Sequence, residues 1–282
     1  MQFKEFAVKD LDVKSVYHLL ISGISPRPIA LVGSIDLENN SNLAPFSFFN
    51  AFGANPPIVG FSPALSGRTG LPKDTLLNIK QTKEFTVSIV NSSMVEQISL
   101  ASCEFDKSVD EFEKTGLTKF KSNIVSPYAV SESNFIMECR LYDILELGNK
   151  PASGNLILGE VLKFHINESI LDSTDKIDPY KLDPIARNGG SWYTEAKKGL
   201  FELKKPNNIG IGFDAIPDKI KKSKHFNGSQ LAKLAGIEKI PENLKLKQNG
   251  SLSELYSMCQ EKLESNQIQD AWQIIFNIID YE

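Results

Sequence analysis

Between Ser25 and Phe61 the chain carries prolines at positions 26, 28, 45, 56 and 57. Each removes a backbone donor and clashes with a preceding helical turn, so Ser25-Pro26-Arg27-Pro28 forbids a helix. Ile29–Val32 reads as a strand, Asp36–Asn42 supplies turn chemistry, and Leu43–Phe52 reads as the returning strand of a hairpin. Pro56-Pro57 ends that unit, and Ile58–Phe61 is a third short strand. The same texture continues: Phe85, Val87 and Ile89 alternate, as do Phe135, Met137, Cys139 and Leu141, and Leu156–Ile166 is a second long strand pattern. Short helices fall between them. Ser15 precedes Val16, Leu19 and Leu20 at helical spacing, with Gly23 as the stop. Asp74 or Thr75 can cap a helix to about Thr82. Ser93 and Glu96 spell a capping box, and Asp110 to Gly116 is one further turn of helix. About seven strands with such helices favour a mainly β fold, an antiparallel barrel with helical decoration, over a doubly wound sheet.

With 282 residues the chain exceeds what one small barrel needs, and its texture changes after Pro206. Eight lysines lie between Pro217 and Lys247, whereas Ser251 to Glu282 holds six acids and Lys262. Leu252, Leu255, Tyr256, Cys259 and Leu263 share one helical face, and Trp272, Ile275, Phe276 and Ile279 another. We therefore expect a barrel domain over 1–205 and a mostly helical extension over 206–282. The extension reads either as a self-complementary helical hairpin docked on the domain or as a surface for a partner.

Charge narrows the partners. Lys and Arg number 31 against 35 Asp and Glu, a net charge of −4, without the positive field that draws nucleic acid. The first fourteen residues show no secretory pattern, and no apolar run reaches membrane-spanning length. Cys103, Cys139 and Cys259 lie too far apart for a zinc-type cluster and cannot all pair, so a reducing, cytoplasmic setting is expected, with no metal and no membrane insertion. His18, His165 and His225 have no carboxylate or histidine at ligand spacing. Gly210-Ile211-Gly212-Phe213-Asp214-Ala215 matches a loose dinucleotide pattern, but no strand precedes it and Pro217 follows.

Two segments carry chemistry. Asn42 to Asn50 puts polar groups and three aromatics on one proline-interrupted strand, able to hydrogen-bond and cover a flat heterocycle; the same residues would also suit an ordinary hairpin edge. Lys73-Asp74-Thr75 stands at a helix start, where free N–H groups, a hydroxyl and an ammonium favour a phosphate; an ordinary cap with a solvated lysine is the simpler alternative.

Five segments in order resemble the flavin reductase-like, FMN-binding split-barrel family, including its flavoredoxin-type members. They are Pro26–Val32, Asn42–Asn50, Lys73–Ile79, Asp110–Glu113 with Gly116-Leu117, and Ala186–Tyr193, and the resemblance covers about residues 20–205. It implies a split β-barrel homodimer that binds FMN noncovalently near the subunit interface. By the same resemblance Asn42, Leu43, Ala44, Ser47 and Asn50 would line the isoalloxazine and ribityl region. Ser62, Lys73, Asp74 and Thr75 would hold the ribityl and phosphate end. Arg27 and Arg187 would lie near the flavin, with Gly189 and Gly190 giving close backbone approach or simply forming a turn. Asn188 stands where the family usually has leucine.

The implied activity is that of an oxidoreductase in which FMN takes a hydride at N5 from NADH or NADPH. Electrons would then pass to free flavin, oxygen, ferric complexes or an acceptor protein. The cofactor supplies that chemistry, so no catalytic acid or base is assigned. The alternative is a flavoredoxin-like electron carrier reduced by a protein partner.

Overall fold

A computed structural model describes residues 2–203, 210–246 and 250–281. The expected boundary at 205/206 and Lys247, the end of the basic stretch, lie outside these residues. By its contacts the chain divides into two compact units, Met1–Leu200 and Phe201–Glu282.

The first unit holds twelve strands among its described residues: β1 (Arg27–Pro28), β2 (Ala30–Ile35), β3 (Ser41–Phe46), β4 (Phe49–Ala54), β5 (Pro57–Phe61), β6 (Glu84–Ile89), β7 (Lys119–Phe120), β8 (Ala129–Val130), β9 (Phe135–Glu146), β10 (Asn155–Ile166), β11 (Ile185–Arg187) and β12 (Tyr193–Glu195). Its helices are α1 (Val13–Gly23), α2 (Asp74–Thr82), α3 (Val95–Ala101), α4 (Glu111–Thr115) and α5 (Pro179–Leu182). Seven strands pair in the order β3-β2-β6-β9-β10-β5-β4, antiparallel at every step. Laid flat, that sheet would hold its edges roughly 29 Å apart. Yet those edges, β3 and β4, are joined by Ser47-Phe48 alone, a link that reaches about 10 Å at full stretch. The sheet therefore curls until its edges meet, which makes the antiparallel barrel that the strand pattern led us to expect. At the seam the Ser62 N–H donates to the Phe48 carbonyl at 2.9 Å.

Strand β2 is buried along its whole length, which explains the unbroken apolar run. Ala30 and Val32 face the barrel interior with Phe61, Phe85, Ile79 and Cys139. Ile29 and Leu31 face the other way, onto α3 and α4 through Ile98 and Phe112. Two glycines are there for close approach: a Cβ on Gly159 would lie 2.2 Å from the Phe85 ring, and one on Gly33 would lie 2.0 Å from the Tyr128 carbonyl oxygen.

Several local expectations change. Leu43–Phe52 is not one strand but two, broken at Ser47-Phe48 where the barrel seam forms. Helix α1 is capped by Asp12, whose carboxylate accepts from the Ser15 N–H at 2.6 Å, and it starts before Ser15. The Ser93/Glu96 box does not form. Asn91 takes the Ser93 N–H at 3.1 Å, and α3 begins two residues later than Ser93, at Val95.

In the second unit α6 (Asp218–Lys221), α7 (Gly228–Ala235), α8 (Leu252–Glu264) and α9 (Ile268–Ile279) enclose their own core around Trp272, Leu234, Leu255 and Cys259. Its uneven charge is used internally. Lys219 donates to the carbonyls of Ile279, the last residue of α9, and of Tyr281 beyond it, and Lys233 to that of Leu263 at the end of α8. Cations there satisfy orphan carbonyls and complement the helix dipole. Gly212 to Ala215 form a turn, and residues 204–209, where a preceding strand would fall, lie outside the described residues.

Candidate functional site

The start of α2 and the face of β3 form one cleft, closed on its other side by the segment that follows α3. Asn42, Ala44, Pro45 and Phe46 of β3 border it. Lys73, Asp74 and Thr75 border it from the helix start. Helix α2 packs its Leu76 and Ile79 into the barrel core, which fixes the direction of its N-terminus. Its cap is Lys73, not Asp74 or Thr75, and no side chain closes its first turn. That leaves backbone donors and the positive end of the dipole facing the cleft.

A polar relay locks this corner. The Asn42 carboxamide donates to Thr75 Oγ1 at 2.9 Å and to Ser34 Oγ at 3.1 Å, and Asn78 donates to the same serine at 3.3 Å. Thr75 is almost fully buried, and because its oxygen accepts from Asn42, its own O–H is left to donate. Lys73 Nζ reaches Glu104 Oε1 at 3.0 Å, and Arg68 binds the other oxygen of that carboxylate. Both pairings hold the Glu104 carboxyl below its ordinary range, Lys73 contributing most. Glu111 lines the cleft as well; burial pushes its carboxyl up, against the bond it accepts from the Leu43 N–H at 3.0 Å.

The remaining sequence candidates lie elsewhere. Leu43 does not line the cleft: its side chain is buried in the core beside α3 and α4, and its N–H is committed to Glu111. Ser47 and Asn50 border a second hollow with Arg27 and Phe48, directly along the chain from Phe46. Arg27 is 6% exposed and its guanidinium is spent on structure, donating to the carbonyls of Ile21 and Ile24 at 2.5 Å and of Asn188 at 3.2 Å. Ser62 directly follows β5, where its hydroxyl faces Gly154. Arg187 stacks over Tyr193 at 4.4 Å. Gly189 and Gly190 border a third hollow with His18 and Trp192. The missing side chain at Gly189 makes room for Ser22, 2.5 Å from its virtual Cβ, and Gly190 takes a left-handed turn at φ 59°.

His165, which has no carboxylate at ligand spacing in the sequence, bonds the fully buried Glu138 of β9 at 2.6 Å. Among the described residues no cluster of histidine, cysteine and acids could hold a metal, and no helix is long and apolar enough to cross a membrane.

Fold and cleft together define an antiparallel barrel, seamed at Ser47-Phe48, with a cation-bearing pocket at an open helix start. The flavin reductase like domain matches residues 22–180. A protein of Aquifex aeolicus is 35% identical over 192 residues, 68% of this chain and 95% of its own. The structure of nitrilotriacetate monooxygenase component B from Bacillus cereus aligns at a TM-score of 0.66 and 32% identity, covering 72% of this chain and 98% of that one. A split-barrel protein of the flavin reductase type from Shewanella frigidimarina aligns at 0.62 and 27% identity, covering 72% and 98%. The chain belongs to the flavin reductase-like family of FMN-binding split-barrel proteins. Its activity is accordingly that of a flavin-linked oxidoreductase.

Proposed function

We propose that the chain is an NAD(P)H-dependent flavin reductase that binds FMN with the phosphate at the start of α2. The observation that carries this reading is the convergence of an uncapped nine-residue helix, the Lys73 ammonium and the Thr75 hydroxyl on one cleft beside β3. These donors fit a phosphate monoester: backbone N–H groups and the helix dipole favour its charge, and Lys73 and Arg68 add cations. Ser66 and Thr69, which also border the cleft, suit a ribityl chain. FMN bound there supplies two-electron chemistry at N5, accepting a hydride from reduced nicotinamide and passing electrons on.

The chain's own residues then hold and orient. Asn42 keeps Thr75 in place, Ala44 and Phe46 offer an apolar face, and Ser47 and Asn50 extend polar edges toward the neighbouring hollow. No side chain has to move a proton.

A second copy of the chain completes the assembly. Val13, Leu20 and Ile24 on and just after α1 are 63%, 48% and 61% exposed, as is Phe52 at 59% on β4, an apolar set that favours burial against a partner. Light scattering on the full chain gives twice the monomer mass on this reading, and a monomer at working concentration contradicts it. The thiols of Cys103, Cys139 and Cys259 are all free, which supports the cytoplasm as its compartment.

The function is tested by loading the protein with FMN without oxygen and adding NADH and NADPH separately. Rapid bleaching of the visible flavin bands by either nucleotide supports the reductase. Bound flavin that neither nucleotide reduces contradicts it and favours an electron carrier reduced by a protein.

A further inference from the structure

Glu104 is presented by a run of backbone turns that continues the end of α3, with Cys103 N–H donating to Leu100 and Phe105 N–H to Cys103, both at 3.1 Å. Its two carboxylate oxygens divide between two cations, Lys73 at the open helix start and Arg68 in the exposed loop before it: Oε1 takes Lys73 Nζ at 3.0 Å and Oε2 takes Arg68. Glu104 and Lys73 both border the cleft. The carboxylate thus rests on the charges that the FMN reading assigns to the phosphate. The side chains of Arg68, Lys73 and Glu104 are 81%, 42% and 52% exposed, so water competes for both pairs and neither is tight. A phosphate monoester brings nearly twice the charge and three acceptor oxygens, so it displaces the carboxylate from the shared cations, though at the cost of breaking both pairs.

We propose that Glu104 is a built-in competitor for the FMN phosphate: it occupies Lys73 and Arg68 while the cleft is free, so that flavin binds loosely and is exchanged between turnovers as a substrate. This inference rests on the FMN reading of the cleft and adds to it a residue that sets affinity and release. An arrangement of this kind suits delivery of reduced flavin to an acceptor outside the protein, because release restores an internal pair instead of stranding two unpaired cations.

The test is a titration of FMN and of riboflavin, which lacks the phosphate, into the full chain and its Glu104→Gln variant. Glutamine keeps the size of the exposed side chain and removes its charge. The variant should bind FMN about three- to tenfold more tightly and release it correspondingly more slowly, with riboflavin affinity unchanged. If both proteins prefer FMN to riboflavin but the variant binds FMN no better than the parent, the competitor role is overturned while the cleft assignment stands. A gain shared equally by riboflavin also overturns it. If neither protein prefers FMN to riboflavin, the phosphate assignment itself is overturned, and the inference with it.

Discussion

Thr75 is almost fully buried, yet it borders the cleft, and its hydroxyl is oriented by a carboxamide 33 residues earlier in the chain. Lys73 beside it is the cap of α2 and the nearer cation. If these two groups bind the FMN phosphate, Thr75→Ala and Lys73→Ala should each weaken FMN by about 1–3 kcal/mol, with riboflavin little affected. Fluorescence titration measures this, and unchanged FMN affinity in both variants removes the phosphate site. Lys73, Asp74 and Thr75 were legible in the sequence because a helix start advertises itself locally. Glu104 and Glu111 were not: they lie 31 and 38 residues beyond Lys73 and reach the cleft only through packing on β3 and α2. The burial of the Leu43 side chain beside α3 and α4 was not legible either, because which face of a strand meets a helix depends on the register of its pairing.

At the scale of elements, β9 carries a second buried polar centre. Glu138 accepts the backbone N–H groups of Asn123, Ile124 and Val125 and the His165 ring, which ties the segment after β7 to the sheet. Burial works to raise its pKa, but the N–H of Asn123, the His165 ring and the other two N–H groups outweigh it and draw the carboxyl from 4.5 down to about 2. The folded state therefore holds this proton less readily than the unfolded chain. Its contribution is complete above pH 4.5 and is lost as pH falls toward 2, on the order of 3 kcal/mol in all. Denaturant midpoints across that range should fall with pH, and Glu138→Gln should be less stable than the parent near neutrality with a flatter acid slope. An identical slope in the variant would rule out this centre as the cause. The strand patterns at β6, β9 and β10 were readable from alternation, which reports burial. The break at Ser47-Phe48 was not, because it follows from closure of the sheet and leaves the local apolar pattern unchanged.

For the whole molecule, the division at Leu200/Phe201 separates two cores, and the Bacillus cereus structure is covered over 98% of its length by 72% of this chain. A barrel of this family is complete without a unit the size of Phe201–Glu282. A chain ending at Leu200 should thus keep its FMN affinity within about twofold, since no residue proposed for the cleft comes from the second unit. Loss of flavin binding on truncation would assign that unit a part in the site. The helical character of the extension was visible in its apolar faces, whereas its small core depends on how four helices meet, which no single helix records. The most direct test of the cleft is a crystal structure of the full chain with FMN. The phosphate should lie against the first turn of α2 within hydrogen-bond reach of Thr75 Oγ1 and Lys73 Nζ, with Glu104 withdrawn from Lys73. FMN bound with its phosphate away from α2, or Glu104 still paired to Lys73 beside a bound phosphate, would contradict the account.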